Sequence, residues 1–153
     1  METRTQSWVF GCDHAGFPAR GQILPILRSL GDVSDQGCPS LDPVDYPDVA
    51  ARVVGCLYDL WDQKQQAFGV LICGSGQGMA MAANRFTRVR AALCRTIEDV
   101  RLARHHNDAN VLVMGARITS NYDQIACLKA FAHPHVIEDR HLLRLRKLEA
   151  LPY

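Results

Sequence analysis

The sequence predicts an α/β protein with a parallel sheet covered on both faces. Two observations carry this: apolar runs of strand length alternate with helix-period segments almost without a break. The runs also end in polar, ionisable residues, as strands of an open α/β sheet do at their carboxyl ends. A length of 153 residues with 48% hydrophobic and 22% charged content suits one domain with a full core.

Each element has a local reason. Trp8 to Cys12 is apolar and reads as the first strand. Phe17 to Leu30 places Ile23, Leu24, Leu27 and Leu30 on one helical face, with Gly31 as its stop. Pro25 inside that helix predicts a kink or a late start. Asp32 to Gln36 is a weaker strand, and Gly37 to Tyr46, with two prolines, is a loop. Asp45 can cap a helix from Pro47, whose apolar face is Val49, Val53, Leu57 and Leu60. Phe68 to Cys73 is the third strand, followed by a Gly-rich loop and a Met/Ala-rich helix. Val89 to Cys94 is the fourth strand. Thr96, with Asp99 three residues on, begins the next helix as a capping box. Asn110 to Gly115 is the fifth strand. Ser120 to Phe131 and a basic segment from Glu138 to Ala150 are helices. The strand order is not encoded in any local pattern.

Composition removes several classes. A net charge of +1 gives no nucleic-acid footprint. No apolar run approaches the roughly 20 residues that span a bilayer. Met1 to Ser7 is polar, so the expected location is the cytoplasm. The six cysteines, Cys12, Cys38, Cys56, Cys73, Cys94 and Cys127, read as free thiols, and the absence of a C-x-x-C pair argues against structural zinc. Cys12 and Cys94 read as small buried apolar residues.

Cys73 differs from the other thiols in its setting. Gly74-Ser75-Gly76-Gln77-Gly78 forms a loop between a strand and a helix N-terminus, where backbone N–H groups and the helix dipole favour an anion. A thiol at the lip of that cradle is an ionisable group beside a place for an oxyanion. The G-x-G-x-G spacing misses the dinucleotide fingerprint, whose third glycine would fall at Met79, and no Gly-Lys-Ser/Thr occurs. Three glycines with Cys and Ser favour a site over a structural turn.

Asp13 and His14 come directly after the first strand. Asp13 can cap the next turn, and His14 beside the sheet edge is a natural phosphate donor. Arg104-His105-His106-Asn107 closes a helix, where histidines also interact with the dipole. His133-Pro134-His135 lacks a third metal ligand nearby and reads as a surface loop. Arg140 and Arg144 stand one helical turn apart and can converge on one anion, although spacing alone favours a solvated basic face.

Taken in order from Val9 to Arg146, these segments resemble the type B ribose-5-phosphate isomerases, a family that includes galactose-6-phosphate isomerase subunits and allose-6-phosphate isomerases. The matching stretches are Gly11-Cys-Asp-His-Ala-Gly-Phe17, Val44-Asp-Tyr-Pro-Asp48, Leu71 to Asn84 and Val89 to Cys94. His106-Asn-Asp-Ala-Asn-Val-Leu112, Gly115-Ala-Arg117 and Arg140-His141 complete them. Glu138-Asp139 stands where the family has Gly-Gly, and Pro18-Ala19-Arg20 replaces a common lysine.

The resemblance implies a three-layer, Rossmann-like α/β/α sandwich with a five-stranded parallel sheet, spanning residues 1–153 as a single domain. A C-terminal helical arm from about residue 134 would pack on a partner subunit. It also implies aldose–ketose isomerisation of a small sugar phosphate through an enediolate, with neither metal nor organic cofactor, in a homodimer or tetramer. Cys73 would be the base; relatives without it use a glutamate where Met79 stands here. Ser75 would relay a proton, and His106 with Asp13 would open the furanose ring. N–H groups of Gly74, Gly76 and Gly78 would hold the enediolate, and Asn107 the sugar hydroxyls. His14, Arg117, Arg140 and Arg144 would form the phosphate set. Ribose 5-phosphate is the expected substrate. The alternatives are a six-carbon sugar phosphate and a non-catalytic phospho-sugar-binding module.

Overall fold

The structure is a computed structural model and describes residues 6–152. The two ends of the expected domain, residues 1–5 and 153, lie outside the described residues. In chain order the strands are β1 (Gln6–Cys12), β2 (Gly31–Asp35), β3 (Ala67–Cys73), β4 (Ala91–Leu93) and β5 (Val111–Gly115). The helices are α1 (Arg20–Leu30), α2 (Tyr46–Asp62), α3 (Gln77–Ala83), α4 (Ile97–Asn107), α5 (Asn121–Ala132) and α6 (Asp139–Glu149).

All strand pairs are parallel, in the order β2-β1-β3-β5-β4. Side chains alternate across the sheet and sort into two cores. Trp8, Phe10, Val70, Ile72, Leu112 and Met114 face α1, α4 and α5, whose Leu27, Val100 and Phe131 pack on them. Val9, Leu71, Cys73, Val111 and Val113 face α2 and α3, through Val53, Leu57, Met79 and Ala83. This is the expected α/β/α sandwich of three layers.

The elements differ from the sequence reading at their ends, for local reasons. The segment from Phe17 opens as a 3-10 turn over Phe17–Ala19, and the α-helix begins at Arg20 with Pro25 inside it. Only three residues of the expected fourth strand form β4. Arg88 just before it takes a left-handed backbone, φ 67°. Asparagine side chains then do part of the pairing. Asn110 Oδ1 accepts from the Arg90 N–H, and the Asn84 amide both donates to and accepts from the Ala91 backbone. Asn84 thereby covers the open edge of the sheet, which otherwise presents unpaired backbone groups. The Thr96 cap forms as expected: its hydroxyl accepts from Asp99 N–H at 3.1 Å, and the Asp99 carboxylate accepts from Thr96 N–H.

Candidate active site

The order of the sheet decides where a site can form. From β1 the chain goes outward to β2, then crosses back to β3 on the other side of β1. The loops leaving β1 and β3 therefore diverge and open a crevice at the strands' carboxyl ends. A cleft of about 410 Å³ lies there, lined by Asp13, His14, Tyr46, Cys73, Gly74, Ser75, Gly78 and Arg117, with Ala15 and Ile118. A larger cleft of about 580 Å³ is lined by residues such as Trp61, Gln66, Arg90 and Asp108. It holds no thiol and does not lie at the carboxyl ends of β1 and β3, so the smaller cleft is the candidate site.

Cys73 ends β3 and is buried. Its Sγ accepts the Gly76 N–H at 3.2 Å. The left-handed backbone of Gly76, φ 79°, aims that N–H back at the sulfur. A Cβ on Gly76 would stand 2.4 Å from Leu93 Cδ1 and 3.1 Å from the Met114 carbonyl carbon. The neighbouring Gln77 N–H donates to Ser75 Oγ at 3.2 Å. Two donors of the glycine loop are thus engaged inside it, and the loop groups that line the cleft are Gly74, Ser75 and Gly78. Gly76 shapes the loop and holds the thiol rather than facing the cleft.

Asp13 is buried and its Oδ1 accepts the Gly16 N–H at 3.0 Å, so it caps the turn after β1 as well as lining the cleft. His14 Nδ1 accepts the Val44 N–H at 3.2 Å, which leaves Nε2 to carry the ring proton as a donor. Arg117 is held by its backbone, its N–H donating to the Gly74 carbonyl at 2.9 Å. The Ala116 N–H donates to the Cys73 carbonyl, so the loops after β3 and β5 are tied to each other.

The other expected residues are elsewhere in the chain. α4 leaves the carboxyl edge after β4 and, being 11 residues long, runs back about 16 Å. His106 and Asn107 at its end therefore sit at the opposite edge of the sheet and do not line the Cys73 cleft. His106 stacks on His141 of α6, with ring centroids 4.2 Å apart and planes at 18°. Arg140 and Arg144 are exposed on the same helix. The departure at Glu138 has a consequence: its carboxylate takes the Arg140 Nε at 2.7 Å. Arg20, at the other departure, pairs with Asp35 and donates to the Cys38 carbonyl, a structural task.

Burial holds Cys12, Cys94 and Cys127 as thiols. Burial pushes Cys12 up to about 12, helped by neighbouring Cys38, and Cys94 also up to about 12, helped by Cys127. Tyr46 and His141 escaped selection as site residues. Tyr46 stands in the Val44-Asp-Tyr-Pro-Asp48 stretch, and its ring would meet a Cβ on Gly78 at 2.7 Å. Among the described residues no group of histidine, cysteine or carboxylate side chains is arranged to hold a metal.

A family model described as ribose/galactose isomerase matches residues 9–148. The chain belongs to that family. It is 39% identical over 110 residues to ribose-5-phosphate isomerase B of Escherichia coli (strain K12), 71% of each chain. The type B ribose 5-phosphate isomerase of Trypanosoma brucei superposes with a TM-score of 0.87 at 37% identity, covering 95% of this chain and 98% of that one. Ribose 5-phosphate isomerase B of Anaplasma phagocytophilum superposes at 0.85 with 39% identity, covering 97% and 99%. This family member is an enzyme, an isomerase of the aldose–ketose kind, built on the fold that its relatives share. No helix among its described residues is long and apolar enough to cross a membrane.

Proposed function

We propose that this isomerase interconverts ribose 5-phosphate and ribulose 5-phosphate in the cytoplasm through an enediolate, with Cys73 as base. The observation that carries the reading is a single thiol at the floor of the carboxyl-edge cleft, held by the Gly76 N–H and ringed by Ser75, Asp13, His14 and Arg117. Starting from the aldose, the Cys73 thiolate takes the C2 proton, and the electron pair moves onto the C1 carbonyl oxygen. N–H groups of Gly74, Ser75 and Gly78 stabilise the developing enediolate, each such donor being worth about 3–4 kcal/mol. The Ser75 hydroxyl passes a proton between the two oxygens. The Cys73 thiol then returns its proton to C1. No step requires a metal or a nicotinamide.

The geometry favours a site shared between two copies. His106, Asn107, Arg140 and Arg144 lie away from their own chain's cleft, while His14 and Arg117 wait in it. A second copy offering its α4 end and α6 arm supplies ring opening, hydroxyl contacts and the rest of the phosphate grip. Mixing Cys73→Ala with Arg140→Ala/Arg144→Ala protein tests this. In a mixed dimer one site carries both defects and the other is intact, so activity returns. No return from demonstrably mixed dimers overturns the sharing. A panel of pentose and hexose phosphates tests the substrate: preference for ribose 5-phosphate is expected, and preference for a 6-phosphate overturns that choice.

A further inference from the structure

His141 is the buried titratable group that the proposed mechanism does not use. It is 5% exposed, and its Nε2 has no hydrogen-bond partner among the described residues. Its face is spent on His106, the rings 4.2 Å apart and nearly parallel at 18°. We propose that His141 is the positioning residue of ring opening: a neutral ring whose stack fixes the plane of His106. The inference rests on the reading of His106 as the group that opens the furanose.

His106 needs such a brace. It sits on the last turn of α4, partly exposed, and its two side-chain torsions would otherwise be free. Delivering a proton to the ring oxygen demands a set direction, and a misplacement of about 1 Å costs on the order of 100-fold. The stack supplies that direction because α6 is anchored by its two buried side chains, His141 and Leu145.

The same surroundings keep His141 uncharged. An imidazolium there would leave Nε2–H buried without an acceptor, which is costly. On its own helix Arg140 and Arg144 oppose a charge and Glu138 favours one; from α4 the facing titratable group is His106. Burial and these cations together hold His141 below the ordinary histidine range. His106 lies in the last turn of α4 and is only partly buried, on the more open side of the stack. A neutral His141 therefore braces the His106 ring without placing a second charge beside it.

Two reactions separate this role from a merely structural one. Ribose 5-phosphate is a furanose and must be opened. Ribulose 5-phosphate has no free 5-hydroxyl to close a ring, so exchange of its C1 protons with deuterated water bypasses ring opening. For His141→Ala, kcat on ribose 5-phosphate should fall by roughly 10- to 100-fold, while exchange into ribulose 5-phosphate stays within about threefold. His141→Phe keeps a flat ring of similar size and should restore kcat to within about threefold, leaving the acid limb of kcat/KM where it is in the wild type. Equal loss of both reactions in His141→Ala, loss of neither, or failure of phenylalanine to rescue overturns the proposal. A wild type that exchanges ribulose 5-phosphate but turns ribose 5-phosphate over only after it is supplied in open-chain form overturns ring opening by His106, and this inference with it. A wild type inactive on both sugars refutes the substrate reading itself.

Discussion

Substituting Gly76 by alanine tests how the glycine loop presents the thiol. Gly76 has a left-handed backbone, φ 79°, where an alanine costs about 1–2 kcal/mol. Its new methyl would also stand 2.4 Å from Leu93 Cδ1 and 3.1 Å from the Met114 carbonyl carbon. The leucine end can rotate away, but the β5 backbone cannot, so overpacking adds about 1–3 kcal/mol. Together these give a loss of about 2–5 kcal/mol, within a typical total of roughly 5–15 kcal/mol, so the protein still folds. For a chain of this size the melting temperature should drop by about 5–20 °C. Isomerase activity measured well below the transition should fall by on the order of 100-fold, because the shifted loop no longer aims its N–H at Cys73. Gly55→Ala is the matched control. Gly55 lies inside α2 with nothing within 4 Å of a new Cβ, so alanine should stabilise by about 0.5–1 kcal/mol and leave activity unchanged. Thermal melts by circular dichroism and a ketose-forming assay read both variants. Gly76→Ala with a melting temperature within about 2 °C of the wild type and activity within about twofold would refute the reasoning.

Two other substitutions probe features away from the cleft. Thr96→Ala removes the hydroxyl that accepts the Asp99 N–H and should cost about 1 kcal/mol, a fall of roughly 2–4 °C in melting temperature. His135 is held below the ordinary histidine range by burial and by Arg104, against its bond to Asp108. The unfolded chain then binds this proton first, so the contribution of His135 is fully present above about pH 6.5 and is lost as pH falls toward the folded value. Melts between pH 7.5 and 5.5 should show a shallower decline for His135→Gln; an unchanged slope contradicts the assignment.

Much of this architecture is legible in local pattern. Strands and helices announce themselves because burial imposes periods of two and 3.6. The Thr96–Asp99 cap is readable because both partners lie within one helical turn. The bounds of β4 are not, because Arg88's left-handed backbone and the amides of Asn84 and Asn110 replace ladder bonds at its start. Strand order is hidden for a related reason: it depends on which helix packs over which strand, a contact between distant segments. In the cleft, Asp13, His14, Cys73, Ser75 and Arg117 are legible because each lies at or just past the end of a strand, on the edge where α/β sheets bind ligands. Tyr46 arrives through a long loop, beside the Val44 bond to His14. The importance of His141 exists only once α6 lies against α4. The double use of the glycine loop, part cradle and part clamp on the thiol, needs the backbone angle of Gly76 to be seen.

The central claim is that Cys73 moves the proton. The most direct measurement is exchange of the C1 protons of ribulose 5-phosphate with deuterated water, monitored by proton NMR in wild type and Cys73→Ala, with phospho-sugar binding measured alongside. Removal of a general base should slow exchange by roughly two to four powers of ten. Binding should survive, because His14 and Arg117 are untouched. A Cys73→Ala protein that binds and still exchanges at most of the wild-type rate would contradict the account.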